Sequence, residues 1–339
     1  MRQNTDVKVA VFDTKPYDKE FLLNQNSDFG FQLTFFPYHL TESTVSLCQG
    51  FDAVCVFVND SLNANVVEQL AKFEVSLVAL RCAGYNNVDL KAAAGKVRVV
   101  NVPKYSPNGV AEHAVAMMLT LNRNTHRAFY RTRASNFSID GLMGFDMHGK
   151  VAGIIGTGRI GRVACEILLG FGMRVLAYDP FPDREWASEK GVEFVDLMEL
   201  IKTADIISLN CALTPDNTYM INKESISLMK KGVMIINTGR GKLVNTEDLL
   251  EGLRSGHIGY AGLDVYEEEA KYFFEDHSSS VIKDDALARL MTFPNVLVTS
   301  HQAFFTREAL TNIATTTLTS IEDYFQERPL VTEVCPPKA

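Results

Sequence analysis

Short apolar or β-branched runs punctuate the first hundred residues: VKVAVFD (7–13), LTFF (33–36), AVCVFV (53–58), SLVALRC (76–82) and VRVVNV (97–102). Polar, helical or turn-forming segments separate them. Apolar residues at successive positions, rather than at alternate ones, predict a parallel sheet covered on both faces. The segment GVAEHAVAMMLTLNRNTHRAFYRT (109–132) follows the turn residues Ser106, Pro107 and Asn108 and predicts one unbroken helix. From Lys150 the alternation restarts, with strands expected at 151–155, 174–178, 205–210, 233–238, 259–265 and 295–300. About six such strands is the count of a doubly wound dinucleotide-binding sheet. The last amphipathic segment, TREALTNIATTTLTSIEDYFQE (306–327), has no strand after it in that second sheet, so it is expected to pack back on the first domain. The fold class is therefore α/β, with two Rossmann-like doubly wound parallel-sheet domains, the second inserted into a discontinuous, flavodoxin-like first. The expected boundaries are 1–103 with 302–339 and 104–301, with an active site in the cleft between them.

The stretch AGIIGTGRIGRVACEILLGFG (152–172) spaces Gly156, Gly158 and Gly161 as G-x-G-x-x-G between an apolar strand and a helical pattern. In that context Gly156 permits a tight turn, Gly158 lets backbone approach a pyrophosphate, and Gly161 lets the helix press on the strand. The N–H groups of the helix start would face the phosphates. The next strand, RVLAY, leads into Asp179, 23 residues beyond Gly156, where a carboxylate can accept hydrogen bonds from the adenosine ribose. It would repel a 2′-phosphate, and no Arg or Lys follows before Arg184, so NAD is favoured over NADP.

Composition narrows the partners. The chain is 46% hydrophobic and 22% charged with a net charge of −8, and no basic face is apparent, which argues against nucleic acid or an anionic membrane and for a small-molecule substrate. Six cysteines occur without a C-x-x-C pair, and five of them fall in apolar or helical patterns suited to buried, reduced thiols, as in cytoplasmic proteins. No run of about 18 apolar residues suggests a membrane span, and no signal-peptide pattern is seen. The histidines lack metal-ligand spacing, so no catalytic metal is expected.

Three later strand ends carry polar residues out of apolar runs: VMIINTGRG delivers Arg240, AGLDVYEEE delivers Asp264 and then Glu269, and NVLVTSHQAFF delivers His301. Ligands sit at the carboxyl ends of strands in such sheets. A guanidinium can hold a carboxylate with two hydrogen bonds, an imidazole can exchange a proton near neutral pH, and a carboxylate can orient that imidazole. Hydride reduction of a 2-oxo acid needs this set. Singly, each residue has a plainer account: His301 could cap a strand, and Glu269 lies among solvated glutamates. Their order and strand-end placement carry more weight. YMINK (219–223) fits the Tyr-x-x-x-Lys pair of short-chain dehydrogenases, but the nucleotide motif of that family opens the chain, so chance is the better account.

With these residues aligned, the whole chain resembles the D-isomer-specific 2-hydroxyacid dehydrogenases, through RCAGYNNVD, NVPKYSPNGVAEHA, GIIGTGRIG, LTPDN, INTGRG, LDVYEEE and SHQAFFT in family order. Within that family, ALRCAGYNNVDL, MMLTLNRNTHRAFYRTR and FFEDHSSSVIKDD are most similar to the fermentative D-lactate dehydrogenases of bacteria. The resemblance implies a cofactor domain inserted within a split substrate domain and reversible hydride transfer from NADH to pyruvate. It gives Arg240 the substrate carboxylate and His301 the proton, with Glu269 raising the imidazole pKa. Asp264 would contact the nicotinamide carboxamide or ribose, and Arg159, Ile160, Cys211, Thr214 and Thr238 fall at cofactor-contacting positions. The backbone of Ala83, Gly84 and Tyr85 would hold the carboxylate from the other domain, with Tyr105 and Phe304 shaping the side-chain pocket. Relatives pair through the cofactor domain, implying a homodimer or homotetramer. A larger 2-oxo acid (phenylpyruvate, 2-oxoisocaproate, hydroxypyruvate) and a non-catalytic NAD-sensing, corepressor-like role are the alternatives.

Overall fold

The computed structural model describes residues 3–335. The chain divides into two compact units: Met1–Ser106 with Phe305–Ala339, and Pro107–Phe304. The first unit is thus assembled from both ends of the chain and the second is continuous.

The first unit is built on a parallel sheet of five strands, β1 (Lys8–Val11), β2 (Gln32–Phe35), β3 (Ala53–Val56), β4 (Leu77–Leu80) and β5 (Arg98–Val100), in the order β2-β1-β3-β4-β5. This is the flavodoxin-like order, in which the chain switches direction between β1 and β3. Every residue of β3 and β4 is buried, as expected of strands covered on both faces. The helix Arg307–Phe325 starts at Thr306, whose hydroxyl accepts from the Ala309 N–H at 3.2 Å. It lays Ala314, Leu318 and Ile321 against Val9, Val11, Cys55 and Ala79. The C-terminal segment therefore completes the core of the first sheet, because an unpaired apolar stripe must find a sheet face to cover.

The second unit carries seven parallel strands: β6 (Val151–Ile155), β7 (Arg174–Tyr178), β8 (Glu193–Phe194), β9 (Ile206–Leu209), β10 (Val233–Asn237), β11 (Ile258–Leu263) and β12 (Val296–Val298), ordered β12-β11-β10-β9-β6-β7-β8. In β10, Val233 and Ile235 enter one apolar cluster while Met234 and Ile236 enter another, so both faces are covered. The direction of winding reverses between β6 and β9, placing the glycine turn at the switch point where such sheets bind ligands. Strand β8 was not expected: two residues beside Leu176 and Ala177 are too few to give a period.

The helix expected over 109–132 is two helices, Pro107–Arg123 and Thr125–Arg133. Asn124 between them is left-handed (φ 51°), a conformation its short polar side chain tolerates within an otherwise helical pattern. The returning chain docks on the first helix, where the Asn122 amide donates to Phe145 O and accepts from Phe145 N, each at 2.8 Å. Four cysteines are buried (Cys48, Cys55, Cys82, Cys165), Cys211 is half-buried and Cys335 exposed, one fewer buried thiol than expected. Among the described residues no helix is long and apolar enough to cross a membrane.

Leu318 is 1% exposed between its helix and the sheet. Leu318→Ala should cost about 2–5 kcal/mol in urea unfolding through the lost contacts and the cavity left behind, whereas a cost under about 0.5 kcal/mol would contradict this packing.

Candidate active site

At the end of β6 the chain turns at Gly156 (φ +93°), where a Cβ would stand 2.7–2.9 Å from the backbone of Asn210 and Cys211. At Gly161 a Cβ would stand 1.9 Å from the Gly156 carbonyl, so helix Arg159–Gly170 can approach its strand only with glycine there. At Gly158 a Cβ would meet nothing within 4 Å. This glycine is the helix N-cap, offers no side-chain cap, and leaves the first-turn N–H groups open to a phosphate. Arg159 is exposed and Ile160 half-buried in that turn.

Asp179 stands at the end of β7. Its Oδ2 accepts from Thr157 N (2.7 Å) and Oγ1 (3.0 Å), and its Oδ1 from Phe181 N (2.9 Å), tying the glycine turn to the neighbouring strand. At the ends of β9 and β10, Asn210 Oδ1 and Thr238 Oγ1 are buried without hydrogen-bond partners among the described residues, and such atoms call for one. Cys211 lies against Gly156, and burial pushes its thiol up to about 11, keeping it neutral. Exposed Thr214 precedes the short turn Pro215–Asn217, with its N–H donating to Asn217 Oδ1 at 2.7 Å. A glycine cradle, an uncapped helix start, a carboxylate at the end of the neighbouring strand and two orphaned polar atoms fit a dinucleotide.

The second group of polar residues belongs to the same unit. Asn237, 1% exposed at the end of β10, shapes the next loop: its Oδ1 accepts from Gly239 N (3.0 Å) and its Nδ2 donates to Arg240 O (2.9 Å). Gly241 lies so close to the Tyr266–Glu267 peptide that a Cβ would stand 2.2–2.5 Å from it, which brings the Arg240 loop against the loop that carries Glu269. Glu269 Oε2 accepts from Tyr266 N at 2.9 Å, and its Oε1 lies 2.8 Å from His301 Nδ1. Engaging Nδ1 in this way leaves Nε2 for another partner.

His301 is left-handed (φ 50°), a strained position for its residue type. It is held there by Asp264, whose backbone carbonyl accepts the His301 N–H at 2.8 Å. The Asp264 carboxylate is fully buried; Oδ1 accepts from Thr299 Oγ1 (2.5 Å) and Gln302 N (2.9 Å) with His113 Nε2 at 3.4 Å, and Oδ2 accepts from Ala303 N (2.9 Å). Burial alone would raise this acid. The hydrogen bonds from His113, Thr299, Ala303 and Gln302 outweigh it and hold the carboxyl below its ordinary value. The Asp264 oxygens thus engage the 299–303 loop, and its backbone carbonyl places His301. Sequence reading also missed Asn237, His113, Thr299 and Tyr266. The short spacings from Asn237 to Gly239 and Arg240 and from Tyr266 to Glu269 are the local signals that could have hinted at partners, since the pairings of His113 and Thr299 join distant segments.

The remaining expected residues divide between the units. Phe304 is half-buried at the end of the second unit, and the other four lie in the first. There Asn101 Nδ2 donates to Ala83 O (2.8 Å), Cys82 Sγ to Gly84 O (3.2 Å) and Val88 N to Tyr85 O (3.1 Å), while among the described residues the N–H groups of 83–85 donate to nothing. Tyr105 is half-buried.

Residues 115–303 match the family model of the D-isomer specific 2-hydroxyacid dehydrogenase, NAD binding domain. The chain belongs to this family. It is 52% identical over 318 residues to the D-lactate dehydrogenase of Escherichia coli K12, covering 94% of this chain and 96% of that one. The apo-structure of D-lactate dehydrogenase from Escherichia coli superposes with a TM-score of 0.89 at 49% identity, covering 97% of this chain and all of that one. A pyruvate reductase of Chlamydomonas reinhardtii gives 0.92 at 44% identity, covering 97% and 99%. The cofactor of this NAD-binding domain is NAD, in agreement with the glycine cradle and Asp179.

Because the folded Asp264 carboxyl lies below its ordinary value of 3.8, it adds stability that is complete above that value and is lost as pH falls through the lower folded value. Asp264→Asn should therefore lower the melting temperature by several degrees at pH 7 and flatten the acid side of the stability curve. An unchanged acid limb would show that the carboxylate does not hold this loop.

Proposed function

We propose that the protein is a D-lactate dehydrogenase that reduces pyruvate with NADH, reversibly. The observation that carries the reading is the 2.8 Å contact between His301 Nδ1 and Glu269, set beside the Arg240 loop in an NAD-binding domain. Two relatives with the same architecture are a D-lactate dehydrogenase and a pyruvate reductase.

In this reading Gly156, Gly158, Gly161 and the helix start at Arg159 and Ile160 hold the pyrophosphate and Asp179 holds the ribose, with Cys211, Thr214 and Thr238 beside the cofactor. Bound NADH supplies the hydride to the carbonyl carbon. Arg240 and the peptide N–H groups of Ala83, Gly84 and Tyr85 bind the substrate carboxylate, while Tyr105 and Phe304 surround its methyl group. As the carbon receives the hydride, His301 Nε2 gives a proton to the carbonyl oxygen. Glu269 orients the ring through Nδ1 and compensates the imidazolium charge before transfer. The reverse reaction returns both.

The reading extends to the surroundings. Reduced cysteines and an acidic chain suit a cytoplasmic enzyme whose partners are small acids rather than nucleic acid or membrane. Phe129, Tyr130, Phe137, Ile139 and Met143 are exposed on one short stretch of the cofactor unit. An apolar surface of this kind suits pairing of two copies through that domain. Phe137→Asp with Ile139→Asp should then shift the sedimenting species to the monomer; a parent that is already monomeric would remove this part of the proposal.

His301→Gln should lower kcat/KM for pyruvate by about 10²–10⁴-fold, the worth of a general acid. NADH affinity should stay unchanged, read from the single tryptophan: Trp186 stacks 4.8 Å from the Arg162 guanidinium, whose Nε donates to Thr157 O in the glycine turn. Undiminished turnover would overturn the assignment of His301. Across a panel of 2-oxo acids pyruvate should give the highest kcat/KM; a preference for phenylpyruvate or 2-oxoisocaproate would replace lactate by a larger product, and no turnover with any would favour an NAD-sensing protein.

A further inference from the structure

Tyr219 opens the Tyr-x-x-x-Lys pattern that the nucleotide motif left unexplained, and its hydroxyl has a definite partner. It donates to Glu267 Oε2 at 2.7 Å, while Glu267 Oε1 accepts from Thr246 N at 2.8 Å. Both oxygens of one carboxylate are thus taken up by two segments remote in sequence. Thr246 is the first residue of helix Thr246–Arg254, where the free N–H groups and the helix dipole favour an anion. Glu267 and Glu268 push the Tyr219 phenol above its ordinary value, first through the hydrogen bond to Glu267, so it stays a protonated donor and not the phenolate that the pattern would suggest in a short-chain dehydrogenase.

The contact straddles the two loops of the candidate active site. Tyr219 is left-handed (φ 55°), and its N–H donates to Lys242 O at 2.7 Å, two residues beyond Arg240. The strand-like run continues with Ile221 N to Leu243 O (3.0 Å) and Asn245 N to Ile221 O (2.8 Å). Glu267 lies two residues before Glu269 on the other loop, and the two loops touch directly where Gly241 meets the Tyr266–Glu267 peptide. The backbone of Tyr219 is therefore tied to the Arg240 loop and its side chain to the Glu269 loop.

We propose that Tyr219 and Glu267 form a positioning latch that fixes the Arg240 loop relative to the Glu269–His301 pair, setting the distance between carboxylate binding and proton transfer; the inference rests on the function proposed above. Neither residue touches substrate in this account. They act through Arg240 and Glu269, and loosening them displaces two groups that must meet one small molecule. A displacement of about 1 Å costs up to about 10²-fold in rate, so a partial loosening should cost about tenfold.

The test compares the parent with Tyr219→Phe, Glu267→Ala, Glu267→Gln and the double variant Tyr219→Phe/Glu267→Ala. For Tyr219→Phe and Glu267→Ala, kcat/KM for pyruvate should fall about tenfold, and oxamate, a pyruvate analogue that is not reduced, should bind the NADH complex about tenfold more weakly. NADH affinity from Trp186 fluorescence should stay within about twofold. The double variant should be no worse than Glu267→Ala, because coupled residues are non-additive. Glu267→Gln keeps an acceptor for Thr246 and an amide facing the phenol, and should recover most of the loss. Variants equal to the parent, losses that multiply in the double variant, or NADH affinity falling in step with turnover would each overturn the latch while leaving the dehydrogenase reading intact. A parent that reduces no 2-oxo acid would overturn both.

Discussion

The second unit depends most on one buried carboxylate. Asp264 lies fully buried just beyond the end of β11, and three backbone or hydroxyl donors from 299–303 converge on it with His113 beside them. A carboxylate taken out of water is tolerated only when its lone pairs are filled, and here they are filled by the 299–303 loop together with His113. That loop is thereby closed around His301, which is held left-handed with its N–H on the Asp264 carbonyl. The placement of His301 therefore depends on this acid.

The same economy applies at the other end of the sheet. Asp179 spends both oxygens on its own turn, joining Thr157 to Phe181, so that the glycine cradle is set before any ligand arrives. Asn237 does likewise for the Arg240 loop. Each strand end in a parallel sheet releases a loop with unpaired backbone groups, and a short polar side chain at that position both satisfies them and fixes where the next residue points. Preorganised loops of this kind reduce the ordering that binding would otherwise have to supply.

Much of this architecture is legible in the sequence because parallel strands covered on both faces read as continuous apolar runs, and the chain repeats them with little interruption. The glycine spacing, the acid after the second strand, and the order Arg240, Glu269, His301 are local patterns that survive without a structure. Other features are not local. Asn124 breaks a helix inside an intact helical period because one residue turns left-handed, and β8 is too short to have a pattern. Asp264 reads from sequence as a strand-end acid, and only the fold reveals that residues 35 or more positions later donate to its oxygens. Tyr219 looked like a chance match and is a tether, for the same reason: its partner lies 48 residues away.

The central claim is that one preformed arrangement of Arg240, Glu269 and His301 receives a 2-oxo acid. A crystal structure of the protein with NADH and oxamate tests it most directly. The account predicts Arg240 on the oxamate carboxylate, His301 Nε2 within about 2.6–3.2 Å of the keto oxygen, and the Glu269–His301 contact retained. Oxamate bound away from Arg240, or His301 turned out of reach with its contact to Glu269 broken, would contradict it.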